Sequence, residues 1–325
     1  MADSTLSTLE QIRTRVRRLT KSPSAAQLSN DDIDSYINTF VLYDMPSYLR
    51  LNTLKELLTF YTDPNVGTYS TITADAEDPM YNFKNKYVSA TDLAYVGGNR
   101  ISFSQSRSEF YNAYPLNNYK VSMGTGDGVE TNFTGTLTNI PVLPNNVTLS
   151  SVDGGGDPQK ANDDGISTFS GDVTAASSIA YIAGTYDITF DLAPGAGEDI
   201  WIQTVPYKAS KPVSILYINE EFVLRPVPDI TYRVDVEMYR RPTEFLSADT
   251  TQQPELAQWS QYISYGAAVK LLQERMDQES VAILMPEFKN QERLVNRHKI
   301  NQNSIKRVAT IYTNGIVSSS STEKD

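Results

Sequence analysis

Two glycine- and aspartate-rich stretches come nearest to chemistry by residue type and spacing. Gly124-Thr-Gly-Asp-Gly128 has the glycine density of a phosphate-cradling loop. It lacks the lysine and hydroxyl residue of a P-loop and departs from GxGxxG spacing. It also leads into the strand-like Asn132-Phe-Thr, where an anion site needs a helix N-terminus. Asp153-Gly-Gly-Gly-Asp157 and Asp163-Asp164-Gly165 offer carboxylate oxygens of the kind calcium takes, without the ligand register of an EF-hand. His298, the single histidine, lies between Arg297 and Lys299 with no serine or cysteine motif to pair with, and reads as a surface residue. The 325 residues contain no cysteine, which removes thiol nucleophiles, disulfides and cysteine-based zinc sites, and one histidine excludes multi-histidine metal sites. The sequence therefore predicts no catalytic, cofactor or metal site, and a protein that is not an enzyme.

The remaining candidates are charged surfaces. Leu6, Leu9, Ile12, Val16 and Leu19 recur at helical spacing among Arg13, Arg15, Arg17, Arg18 and Lys21, predicting an amphipathic helix over residues 4–21 with a basic face. Such a face meets an acidic neighbour in an assembly, or is simply solvated. Lys289, Arg293, Arg297, Lys299, Lys306 and Arg307 make the C-terminal arm basic, with Glu292 the only acid between positions 289 and 307. The whole chain carries −11. That balance argues against a general nucleic-acid binder, which needs cations to displace counterions from phosphate, but suits the wall of a DNA conduit. No run of about 18 apolar residues suggests a membrane span, and Met-Ala-Asp-Ser-Thr-Leu does not read as an export signal. Cytosol, or a particle assembled there, is the expected location.

The elements that must position these residues centre on 215–278. Ile215–Ile218 and Phe222–Leu224 read as strands flanking Glu220 and Glu221, Arg225-Pro-Val-Pro-Asp229 as a turn, and Ile230–Tyr239 as a half-buried strand. Pro254 is placed as a first helical residue, followed by Leu256, Trp259, Ile263, Ala267 and Leu271 on one apolar face. Upstream, Ser29-Asn30-Asp31-Asp32 caps a helix with Ile33, Ile37, Phe40 and Val41 on its buried side, and Pro46 is expected to end it. Residues 51–61 read equally as helix or strand. Asp63–Gly67 is a turn favouring a hairpin, and residues 68–118 read as strands and long loops with a turn at Gly97-Gly98-Asn99. Pro286 predicts a kink or restart in a second helical segment. Ser304–Thr313 reads as a strand awaiting a partner, and residues 318–325 as a disordered tail.

Composition changes abruptly near Gly124. Residues 124–208 hold 11 acids against 2 lysines and no arginine, and 12 of the 17 glycines. Short strand-like runs between Gly, Pro, Asn and Asp turns predict a small β-sandwich inserted there.

The order "FVLRPVPDITYRVDVEMYRRPTEF" then "PELAQWSQYISYGAAVKLLQERMDQE" resembles the head-to-tail adaptor proteins of tailed bacteriophages, the tail-tubular or connector group of short-tailed phages. "LSNDDIDSYINTFVLYDMPSYLR" and "YVGGNRISFSQSRSEFYNAYP" are similar to the same group. "GDGVETNFTGTL" and "YDITFDLAPGAGEDIWI" resemble Ig-like or jelly-roll-like decorations of phage structural proteins. The resemblance implies an α+β fold: a helical adaptor core with a discontinuous β-region plus an inserted all-β sandwich domain, divided as 1–123, 124–208 and 209–325. It implies a structural virion protein of the tail or neck, assembled in the host cytoplasm as a homo-oligomeric ring, a dodecamer. Its implied partners are the portal protein and the tail nozzle or fibre proteins. Genomic DNA passes through the channel without specific binding during ejection, and neither cofactor nor membrane takes part. Interface candidates are Arg13, Arg17, Arg18, Trp259, Arg293, Arg297, Lys306, Arg307 and Tyr312. The rival reading is a phage receptor-binding, fibre-attachment or decoration protein with the sandwich as its binding module. Capped helices at the front and a long one near the end favour the ring.

Overall fold

The computed structural model describes residues 7–49, 52–255 and 257–297. Its α-helices are α1 (Leu9–Leu19), α2 (Asn30–Thr39), α3 (Met45–Tyr48), α4 (Phe83–Lys86), α5 (Arg107–Ala113) and α6 (Trp259–Glu274). Residues 278–297 are also helical. The strands are β1 (Lys55–Tyr61), β2 (Thr68–Ser70), β3 (Tyr87–Val96), β4 (Asn99–Ser104), β5 (Tyr119–Thr125), β6 (Asn132–Thr136), β7 (Thr148–Val152) and β8 (Pro158–Asp163). They continue with β9 (Phe169–Gly171), β10 (Ser178–Ile179), β11 (Thr185–Thr189), β12 (Asp199–Thr204), β13 (Ser214–Ile218), β14 (Glu221–Arg225) and β15 (Arg233–Arg240).

The chain is mostly β: these fifteen strands form three sheets, which overturns the α+β helical core with a discontinuous β-region and an inserted sandwich. The misreading came from pairing that local pattern does not display. Seven strands from distant parts of the chain make one continuous sheet, in the order β1-β15-β3-β4-β13-β14-β2. Lys55–Tyr61, ambiguous by period, is its edge strand. No hairpin follows the Asp63–Gly67 turn. β2 pairs instead with β14, Phe222 opposite Tyr69, at the far edge of the sheet. β13 runs parallel to β4, Ser214 opposite Ser102, and antiparallel to β14. Gly97 and Gly98 both take positive φ in the tight turn between β3 and β4, and Asn219 and Glu220 do so between β13 and β14. Two left-handed residues are what a two-residue hairpin turn requires. The last long strand begins at Arg233, since Ile230–Tyr232 lie outside it. There the backbone N–H of Thr62 donates to Tyr232 O at 2.9 Å.

The chain divides into two compact units: Met1–Leu57 with Phe83–Ala90 and Glu237–Asp325, and Leu58–Asn82 with Thr91–Val236. In the first, Leu9, Ile12 and Val16 of α1 meet Ile33 and Ile37 of α2 and Trp259, Ile263 and Leu271 of α6 in one apolar cluster. Thr8 caps α1 by accepting from Gln11 N, and Ser29 caps α2 by accepting from Asp32 N, with Asp31 and Asp32 set against the positive end of the helix. Pro46 does not end this helix. A π-turn over Phe40–Asp44 links α2 to α3, with Met45 N–H bonded to Phe40 O. Opening the turn by one residue makes room for a ring that clashes in regular α geometry.

α6 starts at Trp259 rather than Pro254, and Leu256 lies outside the described residues. Its burial continues around most of its circumference, Ser260, Tyr262, Ser264 and Gly266 included, in place of the single apolar face expected. A Cβ on Gly266 would stand 2.3 Å from the Phe40 ring, which is itself held edge-on by Tyr262 at 5.1 Å and by Phe288 at 5.9 Å. Residues 278–297 stay helical through Pro286.

In the second unit, the five-stranded sheet β5-β12-β7-β8-β9 and the three-stranded sheet β10-β11-β6 close on a common core, and these eight strands, Tyr119 to Thr204, are called the β-domain below. Leu149, Ala161 and Ile202 come from one sheet, Ile179 and Ile188 from the other. Leu143, Val205 and Val227 form a smaller cluster beside it. Among the described residues no helix is long and apolar enough to cross a membrane.

Candidate interaction surfaces

The basic helix α1 turns much of its charge inward. Arg13 is 6% exposed; its Nε donates to Asp34 Oδ1 at 2.7 Å, while Nη2 donates to Asp34 Oδ2 and, at 3.2 Å, to Ser247 O. Ser247 Oγ donates to the same carboxylate at 2.6 Å. This bonding raises the Arg13 pKa, the Asp34 hydrogen bond contributing most. Arg17 donates to Ser24 O at 3.1 Å, to Leu28 O and to Asn30 Oδ1 at 2.7 Å, tying the link between α1 and α2 to the end of α1. Arg18 alone of the three is exposed. Trp259 is 1% exposed, enclosed by the helical cluster. Arg293 and Arg297 are exposed on the helical stretch 278–297, where Arg293 Nη2 donates to Asn290 Oδ1 at 2.8 Å. Lys306, Arg307, Tyr312 and His298 lie outside the described residues.

The aspartate-glycine loops resolve into structural devices. Asp127 Oδ1 accepts from Val129 N at 2.8 Å and Glu130 N at 2.7 Å, which lowers its pKa. Asp153 Oδ1 accepts from Gly155 N at 2.8 Å and Asp157 N at 2.9 Å. Asp164 accepts from the Thr168 hydroxyl and from Ile166 N and Thr168 N, and its pKa is lowered chiefly by that hydroxyl. Each carboxylate closes its own turn, so its lone pairs face backbone N–H groups. Gly126 is required by close packing, since a Cβ there would lie 2.5 Å from Gly195 O. Among the described residues no three His, Cys, Asp or Glu side chains gather as metal ligands.

No protein-family model matches the chain, and no curated protein is significantly similar to it.

Two features escaped the sequence reading. α2 and α6 border a polar cleft of about 390 Å³ lined by Asp32, Ser35, Tyr36, Thr39, Lys270, Gln273 and Glu274. Its groups largely satisfy one another or their neighbours: Tyr36 Oη donates to Glu274 Oε2 at 2.6 Å, and Lys270 pairs with Asp44 at 2.8 Å. The Glu274 bond, more than burial, pushes the Tyr36 pKa up to about 12. Arg225 folds back onto Leu224 O at 2.8 Å, where only a glycine at position 67 leaves room for its Nη1. Burial lowers its pKa. Both arrangements depend on long-range neighbours and carry no local sequence signal.

Many side chains are exposed among the described residues, and two groups of them differ in composition. One is the outer side of the 278–297 helix with Arg293 and Arg297. The other is the loop end of the β-domain, where acids surround exposed Val129 and Leu192.

Proposed function

We propose that the protein is a structural subunit of a tailed-phage virion, a head-to-tail adaptor that forms a ring between portal and tail nozzle and extends the DNA channel. One observation carries the reading: the order of parts in residues 222–274, two strands joined across an arginine-proline corner and followed by a long helix, on which the resemblance rests. That segment folds as β14, the Arg225–Asp229 turn, β15 and α6. Electron microscopy and native mass spectrometry of the full chain, with and without a portal ring, test it. Rings seated on the portal are expected. A strict monomer or trimer in the presence of portal overturns it.

A further inference from the structure

Arg225, the last residue of β14, carries a charge that no carboxylate answers. Its Nη1 donates to Leu224 O at 2.8 Å and to Gly67 O at 3.5 Å, which anchors one end of the guanidinium. Nε and Nη2 find no acceptor among the described residues, and the side chain is half-buried rather than enclosed. The titratable groups that act on it are Tyr111 and Tyr207, and burial lowers its pKa more than they raise it. A guanidinium held partly out of water without a counter-ion is costly, and carbonyls at one nitrogen offset only part of that cost.

The side of β14 that bears Arg225 also meets α5. Val223, two residues earlier and so on the same face of the strand, packs with Phe110, Leu216 and Tyr111. The Tyr111 hydroxyl makes no hydrogen bond to another described residue. One turn earlier on α5, exposed Arg107 lies against the Tyr111 ring, its guanidinium carbon 5.7 Å from the centroid. Among the described residues neither arginine has an ion-pair partner. Glu109 is the only acid of α5, and at about 100° per residue it projects about 200° away from both Arg107 and Tyr111. On the other flank, Tyr207 donates to Asn65 Oδ1 at 3.2 Å, so its hydroxyl proton is already used.

We propose that Arg225, Arg107 and the Tyr111 hydroxyl together bind a single oxyanion, a carboxylate or a phosphate. Arg225 offers the free edge of its fork, Nε and Nη2, to two oxygens at once, the arrangement that suits carboxylate and phosphate. Tyr111 adds a neutral donor, and Arg107 a second, more exposed charge. Two cations are too few for a polyanion such as DNA, where affinity grows with the number of phosphates neutralised. An acidic side chain of a neighbouring protein and a free anion present the same chemistry to these donors. The site holds whether or not the chain forms a ring, so its test is independent of the adaptor reading.

The test is the melting temperature of the full chain with sodium phosphate, sodium acetate or a tetraglutamate peptide, each against sodium chloride at matched ionic strength. Wild type is expected to melt higher as the anion is added, with half of the effect at about 1–10 mM. Arg225→Lys keeps the charge, loses the fork and weakens this binding by about tenfold or more. Arg107→Gln and Tyr111→Phe leave the bonds to Leu224 O and Gly67 O in place and each weaken it by about two- to fivefold. They keep the assignment testable even where Arg225→Lys does not fold. Glu109→Gln responds as wild type does. Tetraglutamate acting at about tenfold lower concentration than acetate assigns the site to a protein side chain, and phosphate acting below both assigns it to a free anion. A wild type that melts alike in all of these solutions overturns the site, as do Arg107→Gln and Tyr111→Phe variants that respond as wild type does.

Discussion

Arg13 and Arg18 are five positions apart on one helix and do opposite work. Arg13 is enclosed with Asp34 and Ser247, so Arg13→Ala leaves a buried carboxylate without its cation and is expected to cost about 3–5 kcal/mol. Arg18→Ala, at an exposed position, is expected to stay within about 0.5 kcal/mol, and urea denaturation of the two variants measures the difference. Gly266 inverts a helix-propensity rule. Alanine normally improves a helix interior, yet here its methyl group meets a Phe40 ring that Tyr262 and Phe288 prevent from moving aside. Gly266→Ala is expected to lower stability by about 1–3 kcal/mol. A rise in melting temperature contradicts that account. Tyr36 ties stability to alkaline pH. Its folded pKa of about 12 exceeds the ordinary value of 10.0, so the unfolded chain gives up this proton first. The stabilisation is complete below pH 10.0, and it is lost as the pH rises toward about 12. Tyr36→Phe is expected to flatten the fall in stability over that window, read from melts taken across it.

At the scale of elements, local signals marked ends better than extents. Ser29 was recognisable as a cap because a short hydroxyl before two aspartates satisfies free N–H groups wherever it occurs. Pro46 misled because its effect depends on the turn before it, and a π-turn there carries the helix onward. The β-domain loops follow the same logic with carboxylates. Asp127 and Asp164 have lowered pKa values because they accept bonds within their own turns, so their contribution is present above the usual carboxylate pKa of 3.8. As the pH falls through the lower folded values, these turns are expected to loosen. An NMR pH titration should show both carboxylates titrating below 3.8, and Asp164→Asn should remove the effect from the Asp164–Thr168 turn alone. Midpoints at or above 3.8 in the folded protein rule out the turn-closing role.

For the whole molecule, sequence alone established the chemistry that is missing and the distribution of charge. A chain without cysteine forgoes thiol and disulfide chemistry, one histidine cannot make a multi-histidine metal site, and the acidic, glycine-rich character of residues 124–208 is a matter of counting. It also placed several turns, since Gly97-Gly98 makes its own conformation at any location. Tertiary structure decided how much of the chain is sheet and which charges are available. β2 paired with β14, β13 laid parallel to β4, and Arg13 sealed against Asp34 all join residues far apart in the chain. Periodicity reports which side of an element is apolar; it says nothing about which distant element covers that side. Trp259 illustrates the consequence, because a large aromatic suits a subunit interface and a core equally well. Only the packing of α1, α2 and α6 around it determined that its surface is already used within the chain.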